Sequence, residues 1–419
     1  MKRRLFTQMC TEWRSNIWMI IELSIVGLIV AVIAWVLALL AYSYKGQVGY
    51  DLTDIYVGTC NFLDVDADNY VKYEDRSKYS DDFDVIMRRL RANPYVAEVA
   101  KGGKSMPYNY NYNGNGLFLE GNDSLQYIGN TRYMSPELVR LLKLVGPNGE
   151  TSEQLAAVLE RGEILISPHT PSTRSCEPEV LMGKDVTLNQ STPYHVGAIA
   201  YGITRDDYEG INHGCIILPF TDRASQFPSE IVVKVKPGMS RKFMESINTD
   251  ELEQGNSYVN NFTSIDDMRD AAQQTITTLR QQFLACALFL MVAIFLGFLG
   301  SFWFRTQQRV PEIALRKVNG ATPRQIFSRL IGEGMILLLI ATVIFTPIYF
   351  GLVYTDALSD IMSVDEIPES GSEYFSYLAT IYGSYLATIA ILALIIIAGI
   401  WFPARRAMRV QPAEALKDQ

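Results

Sequence analysis

Four stretches of the chain are apolar throughout: Leu23–Tyr44, Phe283–Phe304, Met335–Tyr354 and Tyr377–Phe402. None of them contains Asp, Glu, Lys, Arg or His. At about 1.5 Å per residue, each is long enough as a helix to cross the roughly 30 Å hydrocarbon core of a bilayer. The first is too long for the apolar part of a cleaved signal peptide. No small-x-small cleavage site follows it at Ala41-Tyr42-Ser43, so it is expected to remain as an anchor.

Between the first and second runs the pattern changes to that of a mixed α/β domain. Ser80-Asp81-Asp82 supplies a cap and first-turn acids, and Phe83, Ile86, Met87 and Leu90 follow on one helical face. Asn93-Pro94 ends that helix, and Tyr95–Val99 reads as a strand. Further strands are predicted at Ile55–Val57, Leu117–Leu119, Ile164–Ile166, Val186–Leu188, Val196–Ala200, Cys215–Leu218 and Ile231–Val235, and a helix at Glu153–Arg161. The Asn/Gly-rich run from Tyr108 to Gly116 reads as an exposed loop, whose tyrosines could alternatively form a contact surface. Ser264, with Asp267 three residues on, caps a long helix. Its stripe of Met268, Ala272, Ile276, Leu279 and Phe283 runs directly into the second span. Such a stalk needs a partner for its stripe, either the chain around Tyr42–Leu52 or another subunit.

Basic residues orient these spans. Lys2, Arg3, Arg4 and Arg14 precede the first; Arg305, Arg309, Arg316, Lys317, Arg324 and Arg329 lie between the second and third; Arg405, Arg406, Arg409 and Lys417 follow the fourth. The connection between the third and fourth has Asp356, Asp360, Asp365, Glu366, Glu369 and Glu373 but no Lys or Arg. Both termini are therefore expected in the cytoplasm and the large domain outside it. The fold expected is an α+β membrane protein with four transmembrane helices, one N-terminal and three C-terminal, a large mixed α/β extracytoplasmic domain and a helical stalk. The expected divisions are 1–16, cytoplasmic; 17–44, first span; 45–263, outer domain; 264–304, stalk and second span; and 305–333, cytoplasmic loop. The remainder divides into 334–354, third span; 355–376, acidic outer loop; 377–402, fourth span; and 403–419, cytoplasmic tail.

Composition narrows the function. With 37 Lys+Arg against 45 Asp+Glu, a net charge of −8 leaves no basic face for nucleic acid. Cys10, Cys60, Cys176, Cys215 and Cys286 have neither metal-ligand nor CxxC spacing, so no metal site is expected; a disulfide among Cys60, Cys176 and Cys215 stays open. There is no HExxH and no GxSxG; His169, His195 and His213 are dispersed, and His213 beside Cys215 reads as two residues sharing a strand face. Gly102-Gly103-Lys104-Ser105 resembles the end of a phosphate loop, but Glu98 stands where its first glycine would be. No nucleotide site or catalytic residue is expected in this chain.

Glu22 abuts the first run and Glu333 lies just before the third, both placed at the cytoplasmic edge, where a carboxylate can reach water or a partner. A chain without mid-membrane charge is read as transmitting movement, not carrying polar cargo through its spans. Gly297 and Ser301 form a small-xxx-small pair suited to close helix approach, within the chain or between copies. The loop between the second and third spans is the most informative segment. Pro311 suits a first helical position, Glu312 the positive end of a helix, and Arg316 and Lys317 its negative end. Asn319-Gly320 stops that helix, and Thr322, Pro323 and Gln325 start another with a capping box. Two sets of caps in one loop suit a rigid short helix presented to a cytoplasmic partner; an amphipathic helix lying on lipid is the alternative.

The run Glu312-Ile313-Ala314-Leu315-Arg316-Lys317-Val318-Asn319-Gly320-Ala321-Thr322, with Gln325-Ile326 and Glu333, resembles the cytoplasmic signature of MacB/FtsX-type permeases of ABC transporters. So do Pro403-Ala404-Arg405-Arg406-Ala407 and Gln411-Pro412-Ala413-Glu414-Ala415-Leu416-Lys417 in the tail, and the order of one span, a large outer domain and three spans. The resemblance implies that Pro311–Thr322 is a coupling helix seated on an ATPase, that the outer domain is a two-part porter-like module, and that two permeases pair as a homo- or heterodimer. Only about sixteen residues precede the first span, so the ATPase, with its ATP and Mg, is expected in a separate cytoplasmic subunit. A bacterial inner-membrane location, surrounding lipid and a periplasmic adaptor belong to the same expectation. Efflux or export by mechanotransmission is the leading reading. A transmembrane sensor or regulator of outer partners, such as cell-wall hydrolases, is the competing one.

Overall fold

The computed structural model of the chain describes residues 13–44, 49–73, 77–109, 113–119, 125–168, 176–208, 214–220, 228–308, 310–355 and 371–409. Lys2, Arg3, Arg4, Cys10, Tyr110, Asn111, Tyr112, His169, His213 and Arg309 lie outside them, as do the acidic residues from Asp356 to Glu369 and the tail from Val410. The chain divides into two compact units, one of residues 44–275 and one of residues 1–43 with 276–419.

Along the chain, α1 (Trp13–Ser43) is followed by β1 (Ile55–Phe62), α2 (Ser77–Ala92), β2 (Val96–Gly103), β3 (Asn113–Leu119) and β4 (Leu125–Met134). Next come α3 (Pro136–Leu141), α4 (Ser152–Glu160), β5 (Ile164–Ile166), β6 (Asp185–Leu188), β7 (Thr192–Ile199), β8 (Gly214–Pro219) and β9 (Glu230–Val235). Then follow α5 (Ser240–Ser246), β10 (Glu253–Gln254), β11 (Ser257–Ser264), α6 (Ile265–Gln308), α7 (Val310–Val318), α8 (Pro323–Tyr354) and α9 (Gly371–Arg409). Four helices are long and apolar enough to cross a membrane, α1, α6, α8 and α9, and the mixed α/β unit stands between the first and second of them. This is the fold class that the hydropathy pattern predicts.

The α/β unit is built on one sheet in the order β10-β11-β1-β9-β2-β4-β3-β6-β7-β5-β8. A parallel pairing of β4 with β8 closes β4, β3, β6, β7, β5 and β8 into a ring. Strand β9 is covered on both faces, which is why Ile231-Val232-Val233 reads as a continuous apolar run. Ile231, Val233 and Val235 pack with Phe83, Ile86, Met87 and Leu90 of α2, whereas Val232 packs with the layer that holds Leu138 and Leu155. The ring has its own core around Tyr127, Ile164, Val196 and Leu218. Tyr127 is fully buried, and its Oη donates to the Ser167 carbonyl at 2.9 Å and accepts from the Ser167 amide at 3.2 Å. Between the two parts of the sheet, β2 and β4 share only the pairs Gly102↔Met134 and Gly103↔Tyr133.

Three local expectations are corrected. Helix α2 begins at Ser77, one turn before Ser80; Asp82 is a buried acceptor for Tyr73 Oη at 2.6 Å, not a first-turn acid. The run from Tyr108 to Gly116 is not an exposed loop where it is described. Tyr108 is buried, and Asn113–Gly116 pairs with Thr131–Ile128 of β4. Cross-strand pairing overrides the turn preference of Asn and Gly there. Strands β4 and β11 were not predicted, because both are rich in polar residues. Arg132 of β4 is buried, and its guanidinium donates to the carbonyls of Lys104 at 2.9 Å, Met106 at 3.0 Å and Thr204 at 3.2 Å.

In the helical unit α1, α8 and α9 pack on one another through two apolar clusters. One holds Met19 and Leu23 of α1, Phe298 and Phe302 of α6, Ile313 of α7, Leu330 and Leu337 of α8, and Ile396 and Ile400 of α9. The other holds Trp35 and Leu39, Phe345 and Tyr349, and Tyr377, Ile381 and Tyr385. Hydroxyls in these helices bond back to the preceding turn, as Thr342 Oγ1 does to the Leu338 carbonyl at 2.7 Å and Thr388 Oγ1 to the Ser384 carbonyl at 2.9 Å, so they add no unmet polarity.

Asp51 joins distant parts of the α/β unit. Its carboxylate accepts from the Thr53 amide at 2.9 Å, Lys143 Nζ at 3.0 Å and Lys234 Nζ at 3.3 Å. The Thr53 hydrogen bonding and then the two ammonium groups hold its pKa well below the usual carboxylate range. A depressed folded-state pKa contributes stability that is full above the unfolded value of about 3.9 and is lost as pH falls toward the folded value. Asp51→Asn should lower stability by up to about 1 kcal/mol at neutral pH, because the pairs are partly solvated. Thermal unfolding of the two proteins should show that gap closing below about pH 4; a gap that persists in acid contradicts this account.

Candidate functional site: the short helix and the stalk root

Helix α7 is a nine-residue segment set between two membrane-length helices. Val310 is its first described residue and Pro311 follows it. That place is free of the interior penalty of proline. Glu312 lies in the first turn and pairs with Arg316 one turn later, and Arg316 and Lys317 fill the last turn. Each charge therefore complements the helix dipole.

The end of α7 is fixed by its backbone. The Gly320 amide donates to the Lys317 carbonyl at 3.0 Å and the Ala321 amide to the Arg316 carbonyl at 2.9 Å, with Gly320 at φ +85°. This is the left-handed stop that a glycine accommodates without strain. A Cβ on Gly320 would meet no atom within 4 Å, so the requirement is conformational and not steric. Thr322 then starts α8. Its Oγ1 accepts from the Gln325 amide at 3.4 Å, while Gln325 Oε1 accepts from the Thr322 amide at 3.0 Å.

The two faces of α7 differ. Ile313 and Ala314 are 6% and 3% exposed and pack into the helical unit. Leu315 and Val318, at 55% and 62%, are left outward. The twelve residues Pro311 to Thr322 thus form one capped helix and elbow, seated by one side and presenting the other.

Glu333 sits inside α8 and is buried, with its carboxylate 3.6 Å from Arg329 one turn earlier. Of the two roles the sequence allowed that carboxylate, contact with water or with a partner, a partner is present in Arg329 on the same helix. Glu22 is half-buried, and a Cβ on Gly297 would lie 2.8 Å from its Oε1. Gly297 thus makes room for a side chain of α1 within the same unit, while Ser301 is half-buried. Of the four described thiols, Cys60 and Cys215 are buried, Cys176 half-buried and Cys286 exposed, and no disulfide joins any two of them. His195 Nδ1 lies 2.8 Å from Asp185 Oδ1 on the neighbouring strand.

In the α/β unit, the first turns of α6 form a second constellation. Ser264 Oγ accepts from the Asp267 amide at 3.0 Å, which caps the helix. Ile265 is buried, and Met268 and Ala272 pack against the same core as Tyr50. Arg269 Nε donates to Asp207 Oδ2 at 2.7 Å, and its Nη2 to Tyr44 Oη at 3.2 Å. Tyr108 Oη donates to the other Asp207 oxygen at 2.6 Å. The stalk root is thus held by the chain around Tyr44–Tyr50 and by a buried carboxylate. Sequence reasoning missed Asp207, Arg269 and Tyr108, since nothing in the Arg205-Asp206-Asp207 run marks both acids as buried or Asp207 as the partner of the stalk. Arg269→Met should cost about 3 kcal/mol, because it leaves the Asp207 charge buried and unpaired. Adding Asp207→Asn should recover part of the loss; thermal unfolding of the single and double variants checks the coupling, and strictly additive losses would refute it.

Residues 284–412, which include α7 and the elbow, match the family model described as FtsX-like permease C-terminal. No curated protein sequence matches the chain. Among solved structures, the extracellular domain of the noncanonic ABC-type transporter YknZ from Gram-positive bacteria aligns at 13% identity, over 49% of this chain and 100% of that one, with a TM-score of 0.31. A score that low carries no argument about the α/β unit. The family match falls on the segment whose caps, elbow and three apolar helices have just been described: residues 284–412 are those of an FtsX-like permease C-terminal domain.

Proposed function

We propose that the chain is the membrane subunit of an ABC export system and that α7 is its contact with a separate cytoplasmic ATPase, which binds ATP and Mg. The observation that carries this reading is the division of α7 into a face buried in the helical unit, Ile313 and Ala314, and an exposed face with Leu315 and Val318. A short helix stopped by Gly320 and seated on its own unit can receive a push without bending. An apolar outward face suits a protein groove into which Leu315 and Val318 fit as neighbouring anchors. With α7 cytoplasmic, both termini lie inside and the α/β unit outside, a reading that the basic segments around the spans support. Two permeases then pair over an ATPase dimer, and α6, which runs as one 44-residue helix from the α/β unit into the spans, is the element that moves with the cycle.

Leu315→Asp or Val318→Asp should leave folding and membrane insertion intact, since both side chains are exposed. Either variant should lose copurification with the ATPase subunit and its stimulation by the permease. Gly320→Val should weaken the same coupling through the elbow, at a cost of about 1 kcal/mol or more to the left-handed turn. Glu312→Lys is a less clean test, because it sets a lysine beside Arg316 in place of an ion pair. If the Asp variants keep full ATPase binding and transport but release α7 from liposomes, the helix lies on lipid and the coupling role is wrong.

A further inference from the structure

Helices α6 and α9 cross closely at Gly399, where a Cβ would lie 3.3 Å from Phe298 Cβ and 3.5 Å from the Leu299 amide nitrogen. Beside this crossing the two helices leave a groove of about 780 Å³, lined in part by Phe295 and Leu299 of α6 and by Leu394, Ala398, Trp401 and Phe402 of α9. Its walls are apolar, but one end is not. One turn beyond Trp401 and Phe402 stand Arg405 and Arg406, both exposed. The Arg405 guanidinium lies 5.1 Å from the Trp401 ring centroid, and that of Arg406 4.8 Å from Trp303, which itself stacks on Phe402 at 6.0 Å. Neither arginine makes an ion pair with a carboxylate among the described residues.

We propose that this groove binds an anionic phospholipid, with one acyl chain lying along the groove and the phosphate held by Arg405 and Arg406. The groove volume falls within the range of specific small-molecule sites, and inside a bilayer only hydrocarbon can fill it without loss. Leu394 lies seven residues before Trp401, about 10 Å deeper along the helix, so the apolar part extends well below the level of the arginines. Stacking on indole rings fixes the guanidinium planes beforehand, and guanidinium is weakly hydrated and matches phosphate geometry in bidentate fashion. Basic pockets between spanning helices at a membrane face select anionic headgroups. The inference rests on the groove and its rim alone and does not depend on α7 contacting an ATPase.

The test is native mass spectrometry of the full chain, released from detergent micelles that contain equal amounts of phosphatidylglycerol and phosphatidylcholine with identical acyl chains. About tenfold preferential retention of phosphatidylglycerol is expected from two arginines. Arg405→Gln with Arg406→Gln should abolish the preference while leaving some retention of both lipids. Ala398→Phe should fill the groove and reduce retention of both, with unchanged elution on gel filtration confirming that the chain still folds. Equal retention of the two lipids by the natural chain would overturn the proposal, as would a preference that survives the double glutamine variant. Efficient disulfide formation in native membranes between two copies carrying Leu394→Cys, with lipid preference unaltered by Ala398→Phe, would also overturn it by showing that a second copy covers the groove.

Discussion

A backbone that enters hydrocarbon must satisfy every amide from within its own helix, and this constraint governs the helical unit. It is the reason for the uninterrupted runs of α1, α6, α8 and α9, and for hydroxyls that turn back on their own preceding turn. It also dictates where the helical ladder may stop. Between α7 and α8 the chain breaks at an elbow provided with the left-handed Gly320 and the cap of Thr322. That break falls where the sequence turns basic and polar, so the amides it frees are met by caps or water.

The two units hold together by different means. In the α/β unit, burial of Ile231, Val233, Phe83 and Ile86 removes apolar surface from water, which is the main driving force for folding in an aqueous setting. Between helices in lipid that driving force is nearly absent, and close contact replaces it. Gly399 against the backbone of α6, Gly297 beneath Glu22 and Gly334 against Ile396 and Ile400 are the places where the missing side chain permits that contact.

The spans were legible because twenty consecutive apolar residues leave no alternative in sequence, and α7 with its elbow was legible because Pro311, Glu312, Gly320, Thr322 and Gln325 carry local backbone rules. Strands dense in Val and Ile, such as β5 and β9, were equally plain. What sequence could not reveal depended on distant partners. Strand β4 hides its role because Arg132 and Asn130 look like surface residues until the carbonyls that receive Arg132 are in place. Tyr108 looked solvated for want of Asp207, which stands 99 residues later. The burial of Glu333 followed from the extension of α8 by three turns before the uncharged run begins, a length that hydropathy does not report.

The short seam between β2 and β4 has a mechanical consequence. Six register pairs join β4 to β8 and another six join β2 to β9, but only two join β2 to β4. Shear applied to the sheet concentrates where the fewest bonds share it. The stalk root packs on the core that spans this seam, with Ile265 in contact with the cluster that includes Ala100 of β2 and Met134 of β4. Any torque entering at the first turns of α6 is thus delivered beside one of the narrowest joints of the sheet, the strap that links the ring of strands to the half that carries α2.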